Sequence, residues 1–169
     1  VDHLGQLWFI SSSTLCRYNF KTNTLRQFSP SKYFNATSIC LANDGQLWAS
    51  TNNGFLEKYN VNDDTFSSFN MFSNSKTPTS RWIQKIYADD NHTIFVGTTS
   101  QGLKIFNTSS SSYGDVLTYN PDKTTIFVRD ILKTAENEYW FATESGIFIY
   151  NTNTKSFTNI KKKFLDPSS

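Results

Sequence analysis

At 169 residues the chain is long enough for one domain, or part of one, with a buried core. Its formal net charge of +2 is near neutral and its only basic run is Lys161-Lys162-Lys163, so no nucleic-acid surface is expected. No window of eighteen apolar residues is present to insert into a membrane, no secretory leader is visible, and the chain opens at Val1 in the middle of a motif, as a piece of something longer would.

The first element in chain order is "LGQLWFI" at 4–10, a turn at Gly5 and then a strand; "DGQLWAS" at 44–50 writes nearly the same words again. The aromatic that ends the motif recurs as Trp8, Trp48, Phe95 and Trp140, at intervals of 40, 47 and 45 residues, and such a period marks a repeat architecture. Nine residues before the anchor stand Ile39, Ile86 and Ile131, in segments such as "RWIQKIYA" (81–88) and "FVRDILKT" (127–134) that read as strands. The first unit shows no such segment. Three residues after the anchor comes a hydroxyl: Ser11, Thr51, Thr98 or Thr143. Ten or eleven residues after it comes an aromatic followed by Asn: Tyr18-Asn19, Tyr59-Asn60, Phe106-Asn107 and Tyr150-Asn151. Seven residues further stand Leu25, Phe66, Tyr113 and Phe157.

Turn chemistry separates these strands. Gly5, Gly45, His92 and Asn137 precede the anchors by three residues, and all tolerate the left-handed backbone, so a positive φ is predicted for each. On this reading His92 is a turn residue and not a catalytic one. Gly54, Gly102 and Gly146 mark a second turn, where unit 1 has Ser12-Ser13-Thr14, and Asn-rich stretches such as "NVNDDT" mark a third. Pro30, Pro78, Pro121 and Pro167 fall between units, as residues excluded from central strands should.

Four short antiparallel strands per unit predict an all-β fold made of β-propeller blades, with blades at about 2–28, 37–70, 82–119 and 126–160 of one propeller domain. The first would be three-stranded, giving four consecutive blades as a partial propeller: an arc with two open ends, and an edge at Leu7–Ile10 open to strand addition. Ile39, Ile86 and Ile131 should be buried on innermost strands, and the four anchors should be equivalent on the next strands.

"DGQLWAST…NGFLEKYN" and "ENEYWFATESGIFIYN" resemble the two-component-regulator propeller repeat, in phase over about residues 2–160. The departures are the serines of unit 1 and Phe95 in place of Trp. The resemblance implies a periplasmic sensor segment of a bacterial hybrid two-component histidine kinase, followed in such proteins by an immunoglobulin-like domain, a membrane helix and the kinase. It further implies carbohydrate ligands. Phosphotransfer would belong to parts that this chain does not contain.

For chemistry of its own the chain offers little. It has no Gly-rich phosphate loop, no nucleophile elbow and no paired metal-ligand spacing, so no catalytic residue, metal or cofactor is expected. The acidic pairs Asp63-Asp64 and Asp89-Asp90 read as turn residues, and spacing leaves open whether Cys16 and Cys40 are bonded or free. In propellers, ligands meet the face built by the loops before the first strands and between the second and third strands. Sugars want apolar rings beside planar donors. Tyr33, Arg81, Trp82 and Arg129 are the candidate ligand-binding residues, each with blade packing or a solvated loop as the plain alternative. The expected partners are an oligosaccharide, the remaining blades of a larger propeller and a second copy of the chain. A structural or protein-binding set of blades is the competing functional reading.

Overall fold

The structure is a computed structural model that describes residues 1–31, 33–74, 78–89 and 92–160. Asp90, the basic run at 161–163 and Pro167 lie outside the described residues. The described residues form fifteen strands and no helix, hence none long and apolar enough to cross a membrane.

Blade 1 is the three-stranded sheet β1 (Gln6–Ser11), β2 (Thr14–Asn19) and β3 (Thr24–Phe28). Blade 2 runs β4 (Ala36–Leu41), β5 (Leu47–Thr51), β6 (Phe55–Asn60) and β7 (Thr65–Asn70). Blade 3 runs β8 (Ile83–Ala88), β9 (Thr93–Thr98), β10 (Leu103–Asn107) and β11 (Ser112–Leu117). Blade 4 runs β12 (Val128–Ala135), β13 (Glu138–Thr143), β14 (Gly146–Asn151) and β15 (Ser156–Ile160). All neighbours are antiparallel and consecutive in sequence, the meander expected of propeller blades.

The anchors are equivalent by register: Trp48 lies opposite Cys40, Phe95 opposite Tyr87 and Trp140 opposite Leu132. The repeated hydroxyl has a physical reason. Thr51 Oγ1 accepts from Phe55 N at 2.9 Å, while Thr98 and Thr143 donate to the carbonyls of Gly102 and Gly146, so each closes the second turn. The repeated Asn does the same for the third turn, Asn107 Oδ1 accepting from the backbone of Ser109 and Ser110. That turn ends in one left-handed residue per blade: Asn23, Asp64, Ser111 and Lys155, with φ of 53°, 59°, 54° and 52°. In blade 1 the serines that replace the glycine turn take positive φ themselves, Ser12 at 48° and Ser13 at 64°, as a two-residue primed hairpin demands.

The strands bury their faces between blades. One apolar cluster joins blades 1 and 2 around Trp8, Phe28 and Tyr59; another joins blades 2 and 3 around Trp48, Leu56 and Phe106; a third joins blades 3 and 4 around Phe95, Phe141 and Tyr150. Among the described residues, the four blades share three cores. The hub is stitched by polar links between innermost strands, Ile86 N donating to Ser38 Oγ at 3.2 Å and Lys85 pairing with Asp130 at 2.8 Å.

Three sequence expectations need correction. Asn137 is not left-handed, unlike Gly5, Gly45 and His92 at 72°, 77° and 58°; a bulge between Lys133 and Ala135 changes the geometry of its hairpin. Ile86 and Ile131 are 1% and 4% exposed, but Ile39 is only half-buried. Ile86 and Ile131 lie beside the innermost strand of the preceding blade, and blade 1 has no such strand among the described residues. Asp64 is more than a turn residue: its carboxylate holds Arg17 at 2.9 Å, takes the hydroxyl of Tyr59 and pairs with Arg26, clamping blade 1 to blade 2. Both cysteines are free thiols. Cys40, half-buried against the core between blades 2 and 3, has its thiol pushed up to about 12 by desolvation, against the smaller opposing effects of a backbone bond from Ala88 and the charge of Lys85.

Candidate functional site

Two sets of turns meet at one end of the blades: the second-turn loops and the segments that enter each first strand. A repeated backbone bond fixes the geometry. Asn52 N donates to Asn35 O at 3.1 Å, Thr99 N to Trp82 O at 3.1 Å and Glu144 N to Phe127 O at 3.4 Å. Asn35, Trp82 and Phe127 are thus equivalent, each standing thirteen residues before its anchor.

Trp82 stands at the entrance to β8. Ser80 holds its backbone N at 3.1 Å, and Thr99 and Ser100 in turn hold Ser80. The residue is nonetheless 45% exposed. Tyr33, two residues before Asn35, is 69% exposed, and its carbonyl accepts from Asn53 at 3.5 Å. Arg81 is exposed beside Trp82, with its Cβ over Gly54. Only glycine fits there, since an added Cβ would stand 2.6 Å from the Phe72 ring and 3.2 Å from Arg81 Cβ.

Arg129 is on the same end but already engaged. Its guanidinium donates to Glu144 and lies 4.0 Å from the centroid of the Phe127 ring. The sequence reading missed Phe127 and Glu144, and also Asn120, which donates to Ser145 at 2.7 Å. The thirteen-residue offset to the anchor would have found Phe127; Glu144 carried no signal. The end therefore presents rings at successive blade entrances among hydroxyls and amides, with one arginine neutralised by a carboxylate. No group of three metal-ligating side chains occurs among the described residues.

At the opposite end two crevices lie between blades. One of about 210 Å³ includes Asp44, Trp48, Lys58, Asp89 and His92; the other, about 190 Å³, includes Asp2, His3, Asp44 and Tyr59. The His92 carbonyl accepts from Thr108 N at 2.8 Å, and its φ of 58° fits the turn role read from sequence.

No protein-family model matches the chain, and no curated protein matches it. Solved structures do. The extracellular domain of a protein described as a hybrid two-component system from B. thetaiotaomicron is 19% identical, with a TM-score of 0.74, over 94% of this chain and 22% of that one. A second extracellular domain from the same organism, described as a one-component system, is 16% identical with a TM-score of 0.78, over 95% of this chain and 21% of that one. Virginiamycin B lyase from Staphylococcus aureus, an enzyme, is 13% identical with a TM-score of 0.76, over 97% of this chain and 54% of that one. The chain thus spans about a fifth of the length of the sensor-type domains it matches. At these identities the likeness establishes the fold, a run of β-propeller blades. One architecture serves both a lyase and extracellular domains of signalling systems, so the fold by itself names no activity.

Proposed function

We propose that these blades are part of the extracytoplasmic, ligand-sensing propeller of a two-component signalling protein. They bind an oligosaccharide without chemical change, on the end that carries Tyr33, Arg81, Trp82 and Arg129. The observation that carries this reading is Trp82, 45% exposed although its backbone is fixed by a chain of hydroxyl bonds. An uncovered ring on a fixed backbone offers a face for the apolar side of a sugar to stack on. Arg81 and the serines around it supply donors for hydroxyls, while the guanidinium of Arg129 is already held by Glu144. The likeness to extracellular domains of signalling systems supports the same reading. Phosphotransfer would occur elsewhere in the parent protein.

Indole fluorescence titrated with a panel of oligosaccharides of varied composition tests it. A saturable change is expected with at least one, and Trp82→Ala should weaken binding about tenfold, the equivalent of roughly 1.4 kcal/mol. A ligand bound equally well by Trp82→Ala would place the site elsewhere. No response to any sugar would favour the competing reading, blades that serve structure or protein contacts.

A further inference from the structure

At each junction the outward face of one blade meets the inward face of the next. Where blade 1 meets blade 2, two donors on the outward face of blade 1 are satisfied by carboxylates. Trp8 Nε1 donates to Asp2 Oδ2 at 2.8 Å. Arg17, opposite Trp8 on β2, lies 5.4 Å from the indole centroid and donates to Asp64 Oδ1 at 2.9 Å and to the hydroxyl of Tyr59.

The same two donors recur between blades 2 and 3. Trp48 lies opposite Lys58 as Trp8 lies opposite Arg17, and the Lys58 ammonium is 5.8 Å from the indole centroid. The two indoles are seated alike. Trp8 packs on Phe28 and Tyr59 at 5.2 and 4.8 Å between ring centroids, and Trp48 packs on their equivalents Phe69 and Phe106 at 5.7 and 5.5 Å. The acceptors do not recur. Ala42, six residues before Trp48, takes the place of Asp2; Phe106 takes that of Tyr59 without a hydroxyl; Ser111 takes that of Asp64, with the same left-handed backbone and no charge. Blade 4 uses Glu138, two residues before its anchor, to hold Trp140 Nε1 at 2.8 Å, but in blade 2 that place belongs to Gln46, whose amide donates to the carbonyls of Leu47 and Tyr59. Among the described residues neither the Trp48 N–H nor the Lys58 ammonium has an acceptor, although Trp48 is only 2% exposed. Both line the crevice of about 210 Å³ between these blades.

A buried donor without an acceptor is costly, and this fold answers the same pair one junction earlier with carboxylates. We infer that the crevice between blades 2 and 3 binds a small organic carboxylate, which accepts from Trp48 Nε1 and pairs with Lys58, at a site separate from the Trp82 end. Asp44 and Asp89 also line the crevice, and they set the rest of the ligand. Two carboxylates beside the site repel a second anionic group, so the class that fits has one carboxylate and a neutral or cationic remainder, as an amino acid has.

Indole N–H spectra of the isotope-labelled chain, titrated with acetate and with glycine at constant ionic strength, test this. Of the four indole signals only that of Trp48 should shift saturably, since Trp8 and Trp140 are already held by carboxylates and Trp82 lies at the other end. Acetamide, similar in shape but uncharged, should bind at least about tenfold more weakly than acetate, and Lys58→Gln should weaken acetate by a similar factor with circular dichroism unchanged. Ala42→Asp restores the acceptor that blade 1 carries, so its Trp48 signal should start near the bound position and no longer respond to acetate. A Trp48 signal unmoved by both carboxylates would overturn the inference. So would acetate binding that survives Ala42→Asp or Lys58→Gln intact, or acetamide binding as tight as acetate.

Discussion

Leu56 and Ile147 occupy the same place in their blades, opposite Ser50 and Phe69 in one case and Ala142 and Ile160 in the other. Truncating each to alanine therefore separates the chemistry of the residue from the cover supplied by the next blade. Leu56 is 0% exposed in the core between blades 2 and 3, so Leu56→Ala removes a fully buried side chain and leaves a cavity, at a cost of about 2–5 kcal/mol. Ile147 is half-buried on the open face, so its transfer contribution is roughly halved and no sealed cavity forms. Ile147→Ala should cost about 1 kcal/mol. Urea unfolding followed by circular dichroism, at protein concentrations where the chain is monomeric, reads the difference. Near-equal losses would mean that the blades do not stack as described, and that burial is set within each sheet instead of between sheets.

Two other perturbations probe single positions. Glu57 is 2% exposed on the inward face of blade 2, and burial raises its carboxyl above the ordinary value despite the hydrogen bond from Ser68. The folded state then binds this proton more tightly than the unfolded chain, so stability falls as pH rises from the usual carboxylate range through the raised pKa and levels off above it. Glu57→Gln should accordingly stabilise the protein at neutral pH in thermal melts, with no gain in acid; a gain that grew toward acid pH would contradict the assignment. Gly102, at φ 60°, has the Leu117 carbonyl oxygen 1.8 Å from where a Cβ would stand. Gly102→Ala should cost at least about 2 kcal/mol in chemical unfolding, and a neutral result would show that the second turn relaxes easily.

The sequence showed most plainly what repeats. The anchor aromatic, the hydroxyl three residues on and the aromatic-Asn pair recur in all four units; the anchor packs between blades, the hydroxyl closes the second turn in blades 2, 3 and 4, and the Asn caps the third turn in blades 1, 3 and 4. What occurs once stayed hidden. The clamp of Arg17, Arg26, Tyr59 and Asp64 joins residues from two blades that only folding brings together, and Asp64 looks like its turn neighbour Asp63. The half-burial of Ile39 and Trp140 depends on which neighbouring blade is present, which no spacing records. The bulge that frees Asn137 from a positive φ is likewise a property of how β12 pairs with β13. At the candidate site, position near the blade entrances picked out Tyr33, Arg81 and Trp82 before the first strands and Arg129 at the start of β12, but it gave no hint that Arg129 is committed to Glu144 and Phe127.

Ligand binding at the Trp82 end is the central functional claim, and amide chemical-shift mapping of the isotope-labelled chain tests it most directly. Titrated with the oligosaccharide that gives the strongest fluorescence response, the account predicts shifts concentrated at Tyr33, Ser80–Gln84, Thr99–Ser100 and Phe127–Arg129, with little change elsewhere. Shifts gathered instead around Asp44, His92 and Thr108, at the opposite end of the blades, would contradict it.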